Sequence, residues 1–137
     1  MEVITLNEKN LLLLKLLVFL LIIEKIAQHF ITAYFFAFGD IKPDIGTKVN
    51  VDDNTMAIFN SIYTLLFIIS LIAFLISLNY RLSIVIALAA LDIILEFIFH
   101  GFGFITISVL VSIILIIFSV IFFYTSKSSE TFDSTNT

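Results

Sequence analysis

Three side chains that can take part in proton or metal chemistry recur at every fourth position of one apolar run. They are Asp92, Glu96 and His100, in the segment LDIILEFIFHGFG. At about 100° per residue, these positions fall within an arc of about 80° on one face of a helix. Two carboxyls and an imidazole on one face can relay protons, share a proton or bind a cation. Ionisable groups are costly in hydrocarbon, so this face must find partners.

A second polar group interrupts the first apolar run of the chain. The segment EKIAQHF contains four residues on one side of a helix: Glu24, Lys25, Gln28 and His29. A charged side chain at the centre of a membrane costs about 2.5–3.5 kcal/mol on insertion scales. The two polar groups are therefore predicted to face each other. Lys25 is expected to pair with an acid of the later run, most of all Glu96, and Asp92 and Glu96 to share a proton.

The composition indicates that lipid surrounds these groups. The 137 residues are 61% hydrophobic and only 13% charged, whereas a soluble domain has about 45–50% apolar and about 25% charged residues. The net charge of −4 argues against nucleic-acid binding. The absence of cysteine excludes disulfides, Cys-ligated zinc and thiol chemistry.

Four apolar runs are long enough to cross a hydrocarbon core of about 30 Å. They are predicted to span residues 11–38, 56–78, 82–99 and 104–124. Short turns join the last three, which predicts antiparallel neighbours. The remaining segments are an N-terminal cytosolic segment (1–10), a polar outer loop between the first two helices (39–55) and a mobile polar tail (125–137). The fold class predicted is an all-α integral membrane protein, an antiparallel bundle of four transmembrane helices. Asn54 or Thr55 is expected to cap the second helix.

The distribution of Lys and Arg predicts the orientation. An even number of spans puts both termini on one side of the membrane. The side of the termini has four basic residues near span ends, namely Lys9, Lys15, Arg81 and Lys127. The other side has two, Lys42 and Lys48. Because basic residues are enriched on the inner side, both termini are predicted to be cytoplasmic.

Counting residues from the span ends places both polar groups at one depth. Three residues of the second span reach the same layer as supporting polar groups: Asn60, Ser61 and Thr64. The favoured hypothesis is proton- or cation-linked transport, because intramembrane ionisable groups are typical of proton relays. Its ion or proton site comprises Glu24, Lys25, Gln28, His29, Asp92, Glu96 and His100. Four short helices barely enclose a pathway, so a homo-oligomer is expected.

Two other functions remain open, as does a purely structural role for the polar residues. The chain could be a non-catalytic subunit whose unpaired acids meet basic groups of a partner membrane protein. It could also be a metal- or haem-binding bundle, with Glu96, His100, His29 and Glu24 as candidate ligands; no cofactor is predicted otherwise. No nucleophile–base arrangement or Gly-rich phosphate loop is present, so an enzyme is not expected.

Two rows of small residues are predicted to be faces where helices pack closely. One lies in the third span, at Ser83, Ala87 and Ala90. The other lies in the fourth span, at Ser108, Ser112 and Ser119.

Overall fold

The computed structural model describes residues 2–39, 51–77, 80–101 and 105–134. Within these ranges the chain forms four α helices and no strand, which confirms the predicted all-helical class and the helix count. The helices are α1 (Glu2–Phe38), α2 (Asp53–Leu75), α3 (Arg81–His100) and α4 (Ile107–Ser134). Most of the predicted outer loop and the end of the predicted tail lie outside the described residues. α1 begins before residue 11 and α4 continues past Tyr124, so both exceed the predicted spans.

The start of α2 corrects the prediction that Asn54 or Thr55 would cap it. The cap is Asp52, whose carboxylate accepts the backbone N–H of Thr55 at 2.9 Å and the Thr55 hydroxyl at 2.7 Å. Asp, Asn and Thr are all good caps, so several neighbouring residues qualified. The Thr55 N–H favours the ionised carboxylate and lowers the pKa of Asp52 below its usual value. The cap is therefore intact at neutral pH and weakens as the pH falls through that lowered pKa.

The end of α3 depends on a glycine. Gly101 has a φ angle of 77°, and its N–H still bonds to the Phe97 carbonyl at 2.8 Å. A positive φ angle is accessible to glycine without steric cost. α3 therefore ends directly after His100, which fixes the position of that imidazole at the helix end.

The apolar core occupies one half of the structure and leaves the other half to polar residues. α1 packs against α2 and α4, and α3 packs against α4 and α2. The core joins the middle of α1 and the first half of α3 to the second half of α2 and the part of α4 from Leu115 to Phe122. Its fully buried members are Val18, Ile22, Phe67, Phe74, Val85, Ala89 and Leu115. The polar side chains near Glu24 and Glu96 lie beyond this core and line a cavity.

Three helices of the described chain are long and apolar enough to cross a membrane. They are α2, α3 and the part of α4 from Ile107 to Lys127. Many of their outward-facing side chains are large and apolar, such as Leu65, Ile69 and Ile98, each more than half exposed. Exposed apolar surface of this extent is typical of contact with a membrane or with another protein. α1 is not among the three.

The predicted packing face of α3 is wrong. Ser83 and Ala87 are exposed, and α3 instead turns Val85 and Ala89 inward, on the same side as Asp92. The row of small residues lies opposite Asp92, so it must point outward once that carboxylate is buried.

Candidate proton and cation site

Lys25 joins α1 to α3 and α4 through a fully buried ammonium. Its Nζ atom lies 2.6 Å from Asp92 Oδ2 and donates to Ser108 Oγ at 2.6 Å and to Gln28 Oε1 at 3.3 Å. The Ser108 carbonyl is a fourth acceptor at 3.4 Å, so each of the three protons of the ammonium can find a partner. The prediction that Glu96 would be the partner of Lys25 is wrong. The partner is Asp92, which lies one turn nearer the apolar core.

Asp92 uses both carboxylate oxygens. Oδ2 accepts hydrogen bonds from Lys25 and from the Ser112 hydroxyl, the latter at 2.6 Å. Oδ1 lies 3.0 Å from His29 Nε2. The side chain is only 3% exposed, so these partners replace the water that a carboxylate would otherwise bind. Side chains of α1 and α4 together therefore hold one acid of α3.

The tautomer of His29 follows from its second partner, Asn60 on α2. His29 Nδ1 lies 2.9 Å from Asn60 Oδ1, and Asn60 Nδ2 donates to the Met56 carbonyl at 2.9 Å. A backbone carbonyl only accepts, so the amide NH₂ must face Met56 and the amide oxygen must face His29. The proton position is assigned from this network. His29 Nδ1 therefore carries a proton and donates it to Asn60.

The opposite nitrogen of His29 requires a second proton at the site. If Nδ1 is protonated, a neutral imidazole presents the lone pair of Nε2 to Asp92 Oδ1, and two lone pairs at 3.0 Å repel each other. The contact is attractive only if a proton resides on His29 Nε2 or on the Asp92 carboxyl. The approach is short but not aligned as a full hydrogen bond. Nε2 therefore keeps capacity for a further partner.

Aromatic rings of α2 hold the imidazole in place. The His29 ring stacks on Phe67 with centroids 5.6 Å apart and lies 5.0 Å from the Tyr63 ring. The Tyr63 hydroxyl is buried and has no hydrogen-bond partner among the described residues. The neighbouring rings fix the plane of the imidazole, and the hydrogen bond to Asn60 fixes its rotation within that plane, so Nε2 faces Asp92.

Glu96 has partners different from those of Asp92. Its Oε2 accepts from the Thr106 hydroxyl at 3.2 Å and lies 3.1 Å from His100 Nδ1. That imidazole nitrogen is also 3.1 Å from the Glu96 backbone carbonyl. The expected proton sharing between Asp92 and Glu96 is absent from this arrangement, because each carboxyl bonds to its own set of groups.

Glu24 and Gln28 form the outer part of the site on α1. The exposed Glu24 carboxylate accepts from Gln28 Nε2 at 3.2 Å, and the amide oxygen of Gln28 accepts from Lys25. Gln28 therefore connects an exposed carboxylate to the buried ammonium. Thr32 contributes its hydroxyl only to the Gln28 carbonyl, at 2.8 Å.

The three residues predicted as supporting polar groups have different positions. Asn60 contacts His29 directly. Thr64 is buried and donates to the Asn60 carbonyl at 2.8 Å. Ser61 is exposed and donates to the Ala57 carbonyl at 2.8 Å, so it lies outside the site.

Three hydroxyl residues of the site were missed by the sequence reasoning. The sequence predicts only a packing role for Ser108 and Ser112 and gives no signal for Thr106. The available signal was the spacing of four between the two serines in an Ile-rich helix, which puts both hydroxyls on one face. That spacing fits packing equally well. The position of α4 beside Lys25 and Asp92 decides between the two roles, because Ser108 bonds to Lys25 and Ser112 bonds to Asp92.

A cavity of about 530 Å³ brings the predicted residues together. Every predicted residue of the ion site lines it except Lys25, which lies behind Asp92. The polar lining comprises Glu24, Gln28, His29, Thr32, Asn60, Asp92, Glu96, His100, Thr106 and Ser108. The apolar lining comprises Ile31, Met56, Phe59, Leu95, Phe99 and Ile107. In the described part of the chain, no three His, Asp or Glu side chains lie close enough to hold one metal ion.

Comparison with protein-family models, with curated proteins and with solved structures finds no match. The functional argument therefore rests on the geometry of the site.

The bond from Ser112 to Asp92 can be tested against a matched serine of the same helix. Ser112 and Ser119 are both fully buried on α4, but Ser119 Oγ has no partner among the described residues. A hydrogen bond to a charged group is worth about 1.5–3 kcal/mol. Ser112→Ala should therefore lower the free energy of unfolding in detergent by about that amount, and Ser119→Ala should change it little. Equal losses would show that the bond to Asp92 contributes nothing beyond packing.

Proposed function

We propose that this chain is an integral membrane protein with four antiparallel transmembrane helices that couples proton movement to the transport of a cation. The observation that carries the proposal is the contact between His29 Nε2 and Asp92 Oδ1, which needs a shared proton and borders an open cavity. Intramembrane acids and imidazoles that line a cavity are typical of proton relays. The lipid bilayer is the surrounding partner in this proposal.

The connections of Asp92 suggest how proton uptake can move helices. When Asp92 is ionised, it holds Lys25 of α1 and Ser112 of α4. When it takes up the shared proton, its attraction for Lys25 falls, and the ammonium keeps only the neutral acceptors Ser108 and Gln28. The ties between α1, α3 and α4 are then weaker. Two helix arrangements, one for each protonation state, give a basis for alternating access.

The apolar half of the structure supports a pathway that is closed on one side. Beyond Asp92 and Lys25, Val18, Ile22 and Phe67 fill the space and are fully buried. A proton or cation in the cavity can therefore reach the His29–Asp92 pair but can go no further without a rearrangement. We propose that a homo-oligomer completes the pathway. A mass in detergent equal to one chain would contradict that part of the proposal.

The orientation has its own test. Both termini are proposed to be cytoplasmic, because basic residues favour the inner side. The chain has no cysteine, so a single introduced thiol is unique. In intact cells, an impermeant thiol reagent should label Asn50→Cys and should fail to label Ser128→Cys. The reverse pattern would overturn the orientation, and labelling of both would overturn the three crossings, by α2, α3 and α4, that separate the two positions.

The transport proposal is tested in liposomes that contain a pH-sensitive dye. The reconstituted protein should dissipate an imposed pH gradient faster than protein-free liposomes, with or without an added cation. Asp92→Asn cannot accept a proton and should reduce the rate to the protein-free level. Glu8→Gln removes an exposed acid elsewhere on α1 and should leave the rate unchanged. A wild-type protein that moves no protons with any cation added would overturn the proposal and favour a partner-binding or metal site.

A further inference from the structure

We infer that the cavity beside the His29–Asp92 pair binds a small monovalent organic cation that carries an apolar, preferably aromatic, group. The inference rests on the proposed function, because it identifies the class of cation whose movement the proton would drive. Its grounds are the size of the cavity, the chemistry of its walls, the sign of its charge and one buried nitrogen of a residue that lines it.

The size of the cavity fits a molecule better than a bare ion. Its volume of about 530 Å³ lies within the range of about 300–1,000 Å³ that is typical of ligand sites. One water molecule occupies about 30 Å³ in the liquid, and a potassium ion is of comparable size. An inorganic cation would therefore leave most of this space filled by water, whereas an organic cation of about ten heavy atoms can contact several walls at once.

The walls of the cavity provide an apolar and aromatic surface. Phe59 of α2 and Phe99 of α3 contact each other edge to face, with ring centroids 5.2 Å apart. Leu95 and Ile107 extend this surface on α3 and beside α4. Aromatic faces attract cations through the ring quadrupole, by about 0.5–1 kcal/mol at exposed sites and by more where water is excluded. The same walls bind the apolar part of such a ligand.

The charge of the cavity favours a cation. Two carboxylates reach it: Glu24 accepts a bond from the neutral Gln28 amide, and Glu96 accepts one from the Thr106 hydroxyl and contacts His100. The nearest described ammonium, Lys25, is fully buried and bonded to Asp92. It does not line the cavity. Among the described residues, the basic group within ion-pair distance of these two acids is the His100 imidazole beside Glu96. Low-dielectric walls whose acids have no ammonium or guanidinium beside them concentrate cations.

A buried nitrogen of a residue that lines the cavity gives independent support. His29 lines the cavity, is only 5% exposed, and its Nε2 makes no fully aligned hydrogen bond. A proton on this atom and a cation in the cavity repel each other. Binding of the cation should therefore release the shared proton, and by reciprocity proton uptake should release the cation.

Other titratable groups surround the His29–Asp92 pair and influence its protonation. They are Glu24 and Lys25 of α1, Tyr63 of α2, and Asp92, Glu96 and His100 of α3. Thr106, just before α4, and Ser108 and Ser112 of α4 contribute hydroxyl groups to the same region. The shared proton is assigned to the His29–Asp92 contact because that contact alone requires it.

The test uses calorimetric titration of the full chain in detergent with three probes. They are benzyltrimethylammonium, a cation with one aromatic ring; benzenesulfonate, an anion of similar size; and potassium. Benzyltrimethylammonium should bind and the other two should not. Glu24→Gln and Glu96→Gln should each weaken its binding by roughly tenfold, as the loss of one nearby charge at intermediate dielectric predicts. Glu8→Gln, which removes an exposed acid about 24 Å along α1 from Glu24, should leave binding unchanged.

Repeating the titration in buffers of different ionisation enthalpy measures the proton released on binding. Wild type should release up to about one proton per cation bound, and Asp92→Asn should release none. Binding of potassium alone, binding of benzenesulfonate, or equal binding by the Glu24 and Glu96 variants would each overturn the inference. Absent binding together with intact proton flux in liposomes would overturn it and leave the proposed function standing. Binding with proton release but no flux would leave the site standing and overturn the transport function.

Discussion

Lys25→Met should lower the free energy of unfolding by about 3–5 kcal/mol, the cost of leaving one member of a buried ion pair without its partner. Lys25 and Asp92 are almost fully buried and their charged atoms are 2.6 Å apart. After the substitution, Asp92 keeps Ser112 and the His29 contact but loses its ammonium. The measurement is unfolding of the purified protein in mixed micelles by a denaturing detergent.

The double variant shows whether the loss belongs to the pair. Lys25→Met combined with Asp92→Asn removes both charges, so it should be more stable than Lys25→Met alone. The interaction energy of the double-mutant cycle should reach about 3 kcal/mol, at the upper end for contacting residues. The matched control is Lys25→Met combined with Glu96→Gln. Glu96 does not contact Lys25, so these losses should add to within about 0.5 kcal/mol. A large interaction energy with Glu96 and none with Asp92 would show that the pairing described here is wrong.

The choice between Asp92 and Glu96 as the partner of Lys25 shows what the sequence could and could not reveal about the site. The helical period of Asp92, Glu96 and His100, and that of Glu24 to His29, predicted correctly that two polar faces would meet. The cost of a lone charge among apolar residues made a buried ion pair necessary. Which acid would pair with Lys25 depended on the relative height of α1 and α3. Counting residues from span ends is accurate only to about one turn of helix, which is the spacing between Asp92 and Glu96.

The helix count could be predicted because long apolar runs and polar turns leave few alternatives. The helix ends could not, because α1 and α4 continue beyond their apolar runs and local capping decided the start of α2. The role of α4 also escaped prediction. Serines in an apolar helix fit close packing as well as hydrogen bonding to a charge, and only the tertiary arrangement distinguishes Ser112 from Ser119.

Asn60→Leu should reduce proton flux to the level of Asp92→Asn while the helices remain folded. Asn60 accepts the Nδ1 proton of His29 and is itself fixed by the Met56 carbonyl. Leucine has a similar volume but accepts no hydrogen bond, so the Nδ1–H group is left buried without a partner, at a cost of about 1–3 kcal/mol. The imidazole can escape this cost by shifting its proton to Nε2 and leaving Nδ1 unprotonated. The single proton of the neutral ring then lies on Nε2 and faces Asp92. The His29–Asp92 pair therefore no longer needs the second, shared proton that is proposed to be transported.

Nitrogen NMR of histidine-labelled protein distinguishes this effect from a loss of fold. The chain has only two histidines, so His100→Gln assigns the remaining signals to His29. In wild type, Nδ1 should carry a proton in the neutral ring. In Asn60→Leu, the neutral ring should carry its proton on Nε2. Thr64→Val, which removes a buried hydroxyl that bonds only to the Asn60 carbonyl, is the control and should keep the wild-type signals and flux. An unprotonated Nδ1 in wild type would contradict the assignment of the shared proton. A normal flux in Asn60→Leu would show that the tautomer of His29 does not control proton movement.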